Sequence, residues 1–171
     1  MDSKSNLQTG TLEDQRVAVL IDMQNMFYSA LSMYKKKLNF ETLLPVITRG
    51  RRLTRAVAYV VQTPEIDQTK FLDFLVSLGV EIKSKKLKVR PDGSAKGDWD
   101  MGLAIDAINI APKVDAIALV TGDGDFVALV DKLKAMGVRV EVYSFPGSTA
   151  EELRLAADYY HALDAEVLRF A

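Results

Sequence analysis

Short apolar runs alternating with helix-like stretches constrain the fold of this 171-residue chain more than any other feature. Residues 17–21, 56–61 and 116–120 are continuously apolar, 138–143 alternates apolar with charged residues, and 80–83 is a weaker run of the same kind. Continuous runs of this length suit strands covered on both faces. Between them, apolar residues recur at helical spacing: Leu43, Val46, Ile47 and Leu53; Phe71, Leu72, Leu75, Val76 and Leu78; Met101, Leu103, Ala104, Ala107 and Ile108; Phe126, Val127, Leu129, Val130, Leu133 and Met136. Gly79 and Gly137 stand as helix stops, and Ser148 or Thr149 is placed to cap a further helix. The alternation predicts an α/β fold of three layers, α/β/α, around a mainly parallel, Rossmann-like sheet of about five strands. Residues 1–15, rich in polar and small side chains, read as a flexible tail, and 16–171 as one domain.

Composition removes several chemistries. There is no cysteine and a single histidine, His161. Disulfide scaffolds, thiolate nucleophiles, zinc–thiolate sites and histidine-rich metal sites are therefore excluded. The start of the chain lacks the apolar segment of a signal peptide, and no apolar run is long enough to span a bilayer, so the expected location is the cytoplasm, with no membrane partner. The net charge of −1 hides an asymmetry: residues 1–34 carry −2, residues 35–96 carry +8 and residues 97–171 carry −7.

Acidic residues sit where a parallel sheet builds its sites, just beyond the carboxyl ends of the strands. Asp22 follows the first run, Asp123 and Asp125 follow the run at 116–120, and Asp98 and Asp100 open a predicted helix. Taken singly, Asp22, Asp98 and Asp125 can be helix caps, Gly122 and Gly124 a tight turn, and Gln24 and Asn25 caps of the first helix. Taken together, they converge on one crevice, where like charges repel by roughly 4 kcal/mol per pair at 4 Å. A cation relieves that repulsion. An all-oxygen donor set suits Mg²⁺ or Mn²⁺, and such sites typically work on phosphates, which points to phosphodiester hydrolysis. Asn25 and Thr121 are candidates to line the site. Asp106, six positions beyond Asp100, either flanks it or decorates a helix surface.

Three segments resemble the motifs of NYN domains, in particular the LabA-like branch. Residues 19–27, with Ile21-Asp22-Met23-Gln24-Asn25, resemble the family's "IDGxN" opening. Residues 96–107, from Lys96 to Ala107, resemble its "K..VD..LA.DA" helix, and residues 119–126, with Thr121-Gly122-Asp123-Gly124-Asp125-Phe126, resemble "SGDSDF". NYN domains belong to the PIN-like superfamily of metal-dependent ribonucleases. The resemblance runs from about Val17 to about Leu163. It implies a PIN-like sheet, an Mg²⁺ or Mn²⁺ site, and catalytic and metal-holding roles for Asp22, Asp100, Asp123 and Asp125, with Asp106 as an extra. Asn25, Asp98 and Thr121 are secondary. Met23 departs from the family's glycine and is expected to crowd the approach to Asp22.

The basic middle supplies the expected contacts to RNA, single-stranded in the simplest case. Its clusters are residues 35–37, Arg49 with Arg51, Arg52 and Arg55, and an alternating stretch that reads as an edge strand or hairpin. In that stretch and the following loop, Lys85, Lys86, Lys88, Arg90 and Lys96 are the phosphate-binding candidates. Trp99 is the foremost base-stacking candidate, with Tyr28, Tyr34 and Phe27 behind it. The alternative is a non-catalytic NYN-like module that binds RNA or protein, acting in regulation and as a homodimer.

Overall fold

The computed structural model describes residues 12–93, 95–96 and 98–170. Most of the expected tail, residues 1–11, lies outside them. In chain order the elements are β1 (Arg16–Asp22), α1 (Met23–Tyr34), β2 (Lys36–Leu38), α2 (Phe40–Thr48), β3 (Arg52–Gln62), α3 (Thr69–Ser77), β4 (Glu81–Lys86), β5 (Lys88–Val89), β6 (Ala95–Lys96), α4 (Asp100–Ile110), β7 (Ala116–Val120), α5 (Val127–Ala135), β8 (Arg139–Ser144), α6 (Glu151–Ala156), β9 (Tyr159–Ala162) and β10 (Leu168–Phe170).

Six strands form one sheet in the order β4-β3-β1-β7-β8-β9, with every neighbouring pair parallel. Its two central strands, β1 and β7, carry the most apolar runs. Residues 17–21 and 116–120 are wholly buried. Strand alternation then sorts the core into two halves. Val17, Val19 and Ile21 face a cluster containing Met26 of α1, Leu43 and Ile47 of α2 and Leu75 of α3. Ala18 and Leu20 face Leu103 and Ala107 of α4, Leu129 and Leu133 of α5 and Leu153 of α6. Helices of the first half of the chain thus cover one face and those of the second half the other, as the three-layer expectation requires. Gly79 and Gly137 do stop α3 and α5, each at φ +86°, where a side chain would be strained.

Three local expectations change. The sheet has a sixth strand, β9, whose Tyr-Tyr-His-Ala sequence carries no apolar run because it is a short, half-exposed edge. Leu53 belongs to β3, paired with Val17, so α2 ends before it. Neither Ser148 nor Thr149 caps α6; Thr149 Oγ1 donates instead to the Phe145 carbonyl at 2.7 Å. Ahead of β1, the Gln15 carbonyl accepts from Arg52 N and its side chain from Arg51, so this residue is tied to the sheet.

One charged residue is fully buried in the sheet. Glu141, in the middle of β8, accepts from Arg51 at 2.8 Å through both carboxylate oxygens, and from Arg49, Arg139 and the Tyr143 hydroxyl at 3.0, 2.9 and 2.9 Å. Burial alone would raise its carboxyl, but these donors outweigh it and hold the group below its ordinary range. A depressed carboxyl stabilises the fold above its ordinary pKa, and that stability is lost as pH falls through the lowered value. Part of the basic middle is therefore structural: Arg49 and Arg51 neutralise Glu141, and Arg55 pairs with Glu81. Glu141→Gln should destabilise the protein by about 3–5 kcal/mol, because Arg51 is left buried and uncompensated. The shift of the urea midpoint at neutral pH measures this.

Candidate active site

The strand order reverses between β1 and β7: the chain builds outward to β4 on one side, then returns and builds outward to β9 on the other. Such a switch point leaves a crevice at the carboxyl ends of the two strands. Asp22 ends β1, and the turn holding Asp123 follows β7. Asp100 opens α4, the helix that leads into β7. One carboxylate oxygen from each of Asp22, Asp100 and Asp123 lies within 4.8 Å of the others. The cleft around them is about 320 Å³ and is also lined by Gln24, Asn25, Tyr28 and Asp98.

Local hydrogen bonds fix this arrangement. Asp22 is the N-cap of α1 and accepts from Asn25 N at 3.3 Å, so capping and clustering are one role here. Its other oxygen accepts from Thr121 Oγ1 at 3.0 Å. Thr121 Oγ1 in turn accepts from Asp123 N at 3.2 Å, and Asn25 Oδ1 accepts from Gly122 N at 2.9 Å. Asn25 and Thr121 thus bind α1 and the β7 turn together beneath the carboxylates. Gly122 is small for close approach: a Cβ there would stand 2.2 Å from the Ser148 carbonyl oxygen. Asp123 caps its own short turn by accepting from Asp125 N at 2.9 Å.

Electrostatics follow from the geometry. Burial raises the Asp22 carboxyl, partly offset by Asn25 N–H and Thr121, with Asp123 and Asp98 adding to the rise. Burial pushes the Asp100 carboxyl up to about 6, and the charges of Asp123, Asp22, Asp98 and Asp125 push in the same direction. Among the described residues Asp22, Asp100 and Asp123 form one group of carboxylates placed to hold a cation. Their oxygen-only donors and mutual repulsion fit a hard divalent ion.

The remaining site residues divide clearly. Asp98 is exposed, accepts from Asp100 N at 3.3 Å and stands on the rim. Asp125 is exposed on the far side of Asp100, in a groove between α4 and α5, and is not among the three clustered carboxylates. Asp106 is likewise outside the cluster. It accepts from Lys83 Nζ and the Tyr59 hydroxyl, both at 2.7 Å, so its charge is already answered. Met23 turns into the core and does not line the cleft, so the expected crowding of Asp22 is not seen.

The cationic candidates lie along one edge. Lys85 and Lys86 end β4, the edge of the sheet, and Lys88 and Arg90 continue from it as exposed residues. The side chain of Lys96 lies outside the described residues. Trp99 is held rather than free: its Nε1 donates to the Val60 carbonyl at 2.9 Å, its ring packs 5.6 Å from Tyr59, and Lys85 Nζ stands 4.4 Å from its ring centre. Phe27 and Tyr34 pack against other rings. Tyr28 is the free aromatic of these four, 73% exposed at the cleft. Its i,i+4 spacing from Gln24 on α1 was the available signal that both face the cleft.

Comparison with known proteins decides the family. The NYN domain model matches residues 16–164. The chain belongs to the NYN domain family. It is 34% identical over 156 residues to the low amplitude and bright protein LabA of Synechococcus elongatus, covering 85% of this chain and 82% of that protein. An uncharacterized protein of Methanocaldococcus jannaschii is 26% identical over 148 residues; this chain spans 54% of its length. Among solved structures, a protein of unknown function from Vibrio parahaemolyticus is 35% identical, with a TM-score of 0.85 over 99% of this chain and 100% of that one. This NYN chain shares its fold with that structure.

A raised carboxyl pKa means that the folded state holds its proton more tightly than the unfolded one. Asp100 therefore costs the metal-free protein stability as pH rises from about 4 to about 6, and the cost is complete above that. Asp100→Asn should stabilise the metal-free protein by about 1 kcal/mol at pH 7.5, a figure discounted for solvent screening. The gain should vanish near pH 4. Chemical denaturation at the two pH values measures it.

Proposed function

We propose that this NYN domain is a metal-dependent ribonuclease that hydrolyses phosphodiester bonds in single-stranded RNA. The convergence of Asp22, Asp100 and Asp123 carries the reading. Membership of a family generally made up of nucleases supports it. On this reading residues 16–171 act as one domain.

These three aspartates would hold Mg²⁺ or Mn²⁺, directly or through water. Held there, such an ion would supply charge for the phosphate oxygens and lower the pKa of a water for nucleophilic attack. The protein's own groups do the rest. Asn25 and Thr121 keep the carboxylates from turning away, through their bonds to Gly122 N–H and Asp22. Asp98 stands at the rim and Asp125 in the adjoining groove beside Asp100, each a further carboxylate that would take the proton of the attacking water. Lys85, Lys86, Lys88 and Arg90 give the phosphate chain a sequence-independent, salt-sensitive path along β4, with Lys96 beside them in sequence. Tyr28 offers an exposed ring on the other side of the cleft for a base to stack on. Among the described residues no helix is long and apolar enough to cross a membrane; the substrate belonging to this proposal is RNA of the cytoplasm.

Asp123→Asn should lower Mn²⁺-dependent cleavage of a single-stranded RNA by at least about 100-fold, comparable to losing a principal electrostatic contact. A gel assay with Mg²⁺, Mn²⁺ and chelator measures this. Cleavage of wild-type strength by the variant would contradict the reading.

A further inference from the structure

A second cavity adjoins the acidic cleft, with Gln24 lining both. This chamber, about 220 Å³, lies between α1, the end of β3 and the residue before α3, with Phe27, Val61 and Leu87 among its apolar walls. Thr63 and Gln68 border it and also border an outer chamber of about 490 Å³ that reaches Lys86. The acidic cleft, this apolar chamber and the outer chamber are thus neighbours in a row, with Lys86 lining the outermost.

An independent observation concerns hydrogen bonding. Among the described residues four buried side-chain atoms lack a hydrogen-bond partner, and two of them, Thr63 Oγ1 and Gln68 Oε1, belong to residues that line this chamber. Buried polar atoms are almost always paired, so two orphans in one place call for a reason. Capping is not that reason. Gln68 occupies the N-cap position of α3 but makes no capping bond, and Asp67 Oδ1 accepts from Thr69 N at 3.0 Å instead. The Gln68 carboxamide can turn about its last bond to present either oxygen or NH₂, and the Thr63 hydroxyl can donate or accept.

We propose that this chamber reads a nucleobase: it takes the base of the nucleotide adjoining the phosphate held at Asp22, Asp100 and Asp123. The base lies against Phe27, Gln68 and Thr63 pair with its edge, and Lys86 meets the next phosphate. Single-stranded RNA is read in this way, with splayed bases seated on apolar or aromatic walls and paired along their edges by side chains. A carboxamide presents a donor and an acceptor in one plane, as a base edge requires. The proposal rests on the nuclease reading and adds to it that cleavage is base-selective, with Gln68 and Thr63 setting the selection.

The test is cleavage of a randomised single-stranded RNA with Mn²⁺, followed by sequencing of the cut junctions. Wild-type protein, Gln68→Ala, Gln68→Glu and Thr63→Val are compared by relative base preference, which is independent of overall rate. Wild-type turnover of bis(p-nitrophenyl) phosphate is measured alongside as a readout of the carboxylate centre. Wild type should favour one base at one position flanking the cut by about tenfold. Gln68→Ala and Thr63→Val should flatten that preference, and Gln68→Glu, which only accepts hydrogen bonds when ionised, should redirect it. Gln68→Glu keeps the test decisive if the alanine variant does not fold. RNA cleavage by wild type without base preference, or a preference unchanged in all folded variants, overturns the proposal and leaves the nuclease reading intact. Absence of both RNA cleavage and diester turnover in wild type overturns the nuclease reading and this proposal with it.

Discussion

Three carboxylates held within 4.8 Å of one another set the terms for the rest of this structure. Like charges at that spacing separate unless something fixes them. The fixing is done by the backbone. Asp22 is tied to the first turn of α1, Asp123 to the turn after β7, and Asp100 to the start of α4. Those three places meet because the parallel sheet reverses its strand order between β1 and β7. The apolar runs at 17–21 and 116–120 therefore do more than fill the core. They hold the two sides of the crevice in register, Val17 beside Ala116 through Ile21 beside Val120.

The chain's charge asymmetry separates into two parts. Some of the basic residues are paired within the chain, at buried or surface positions: Arg51 and Arg49 with Glu141, Arg55 with Glu81, Lys83 with Asp106. Those pairings explain why Asp106, although it follows Asp100 on the same helix, contributes nothing to the acidic cluster. The basic residues at the end of β4 and just after it have a different setting. They are exposed, and Lys85 lies over Trp99, the neighbour of Asp100. Positive charge is thereby placed beside a cleft of concentrated negative charge without neutralising it. On the function proposed above, that arrangement suits a polyanionic ligand whose reacting phosphate needs a cation between it and the carboxylates.

Much of this was legible in the sequence, for identifiable reasons. Continuous apolar runs report central parallel strands reliably because those strands are covered on both faces. Aspartates at strand ends report the crevice because that is where a parallel sheet exposes them. What stayed hidden was set by tertiary contacts. β9 is an edge strand with polar and aromatic residues, fastened by Asp158 Oδ2 accepting from Val140 N at 2.8 Å, and an edge leaves no apolar signature. Glu141 reads as the polar member of an alternating strand, yet it is buried because Arg51, ninety positions away, reaches it. Trp99 reads as a stacking platform between two aspartates; that its indole N–H donates to Val60 and that Lys85 stands over its ring could not be read from the sequence. Gln24 and Tyr28 are legible as an i,i+4 pair that shares one face of α1, but not that this face borders the cleft.

The central claim is that Asp22, Asp100 and Asp123 together bind a divalent cation. Crystals grown with Mn²⁺, measured for anomalous scattering at the manganese edge, test this most directly. The account predicts a peak between these three side chains that disappears in Asp123→Asn. A crystal saturated with Mn²⁺ that shows no peak there, or shows the only peak elsewhere on the molecule, would contradict it.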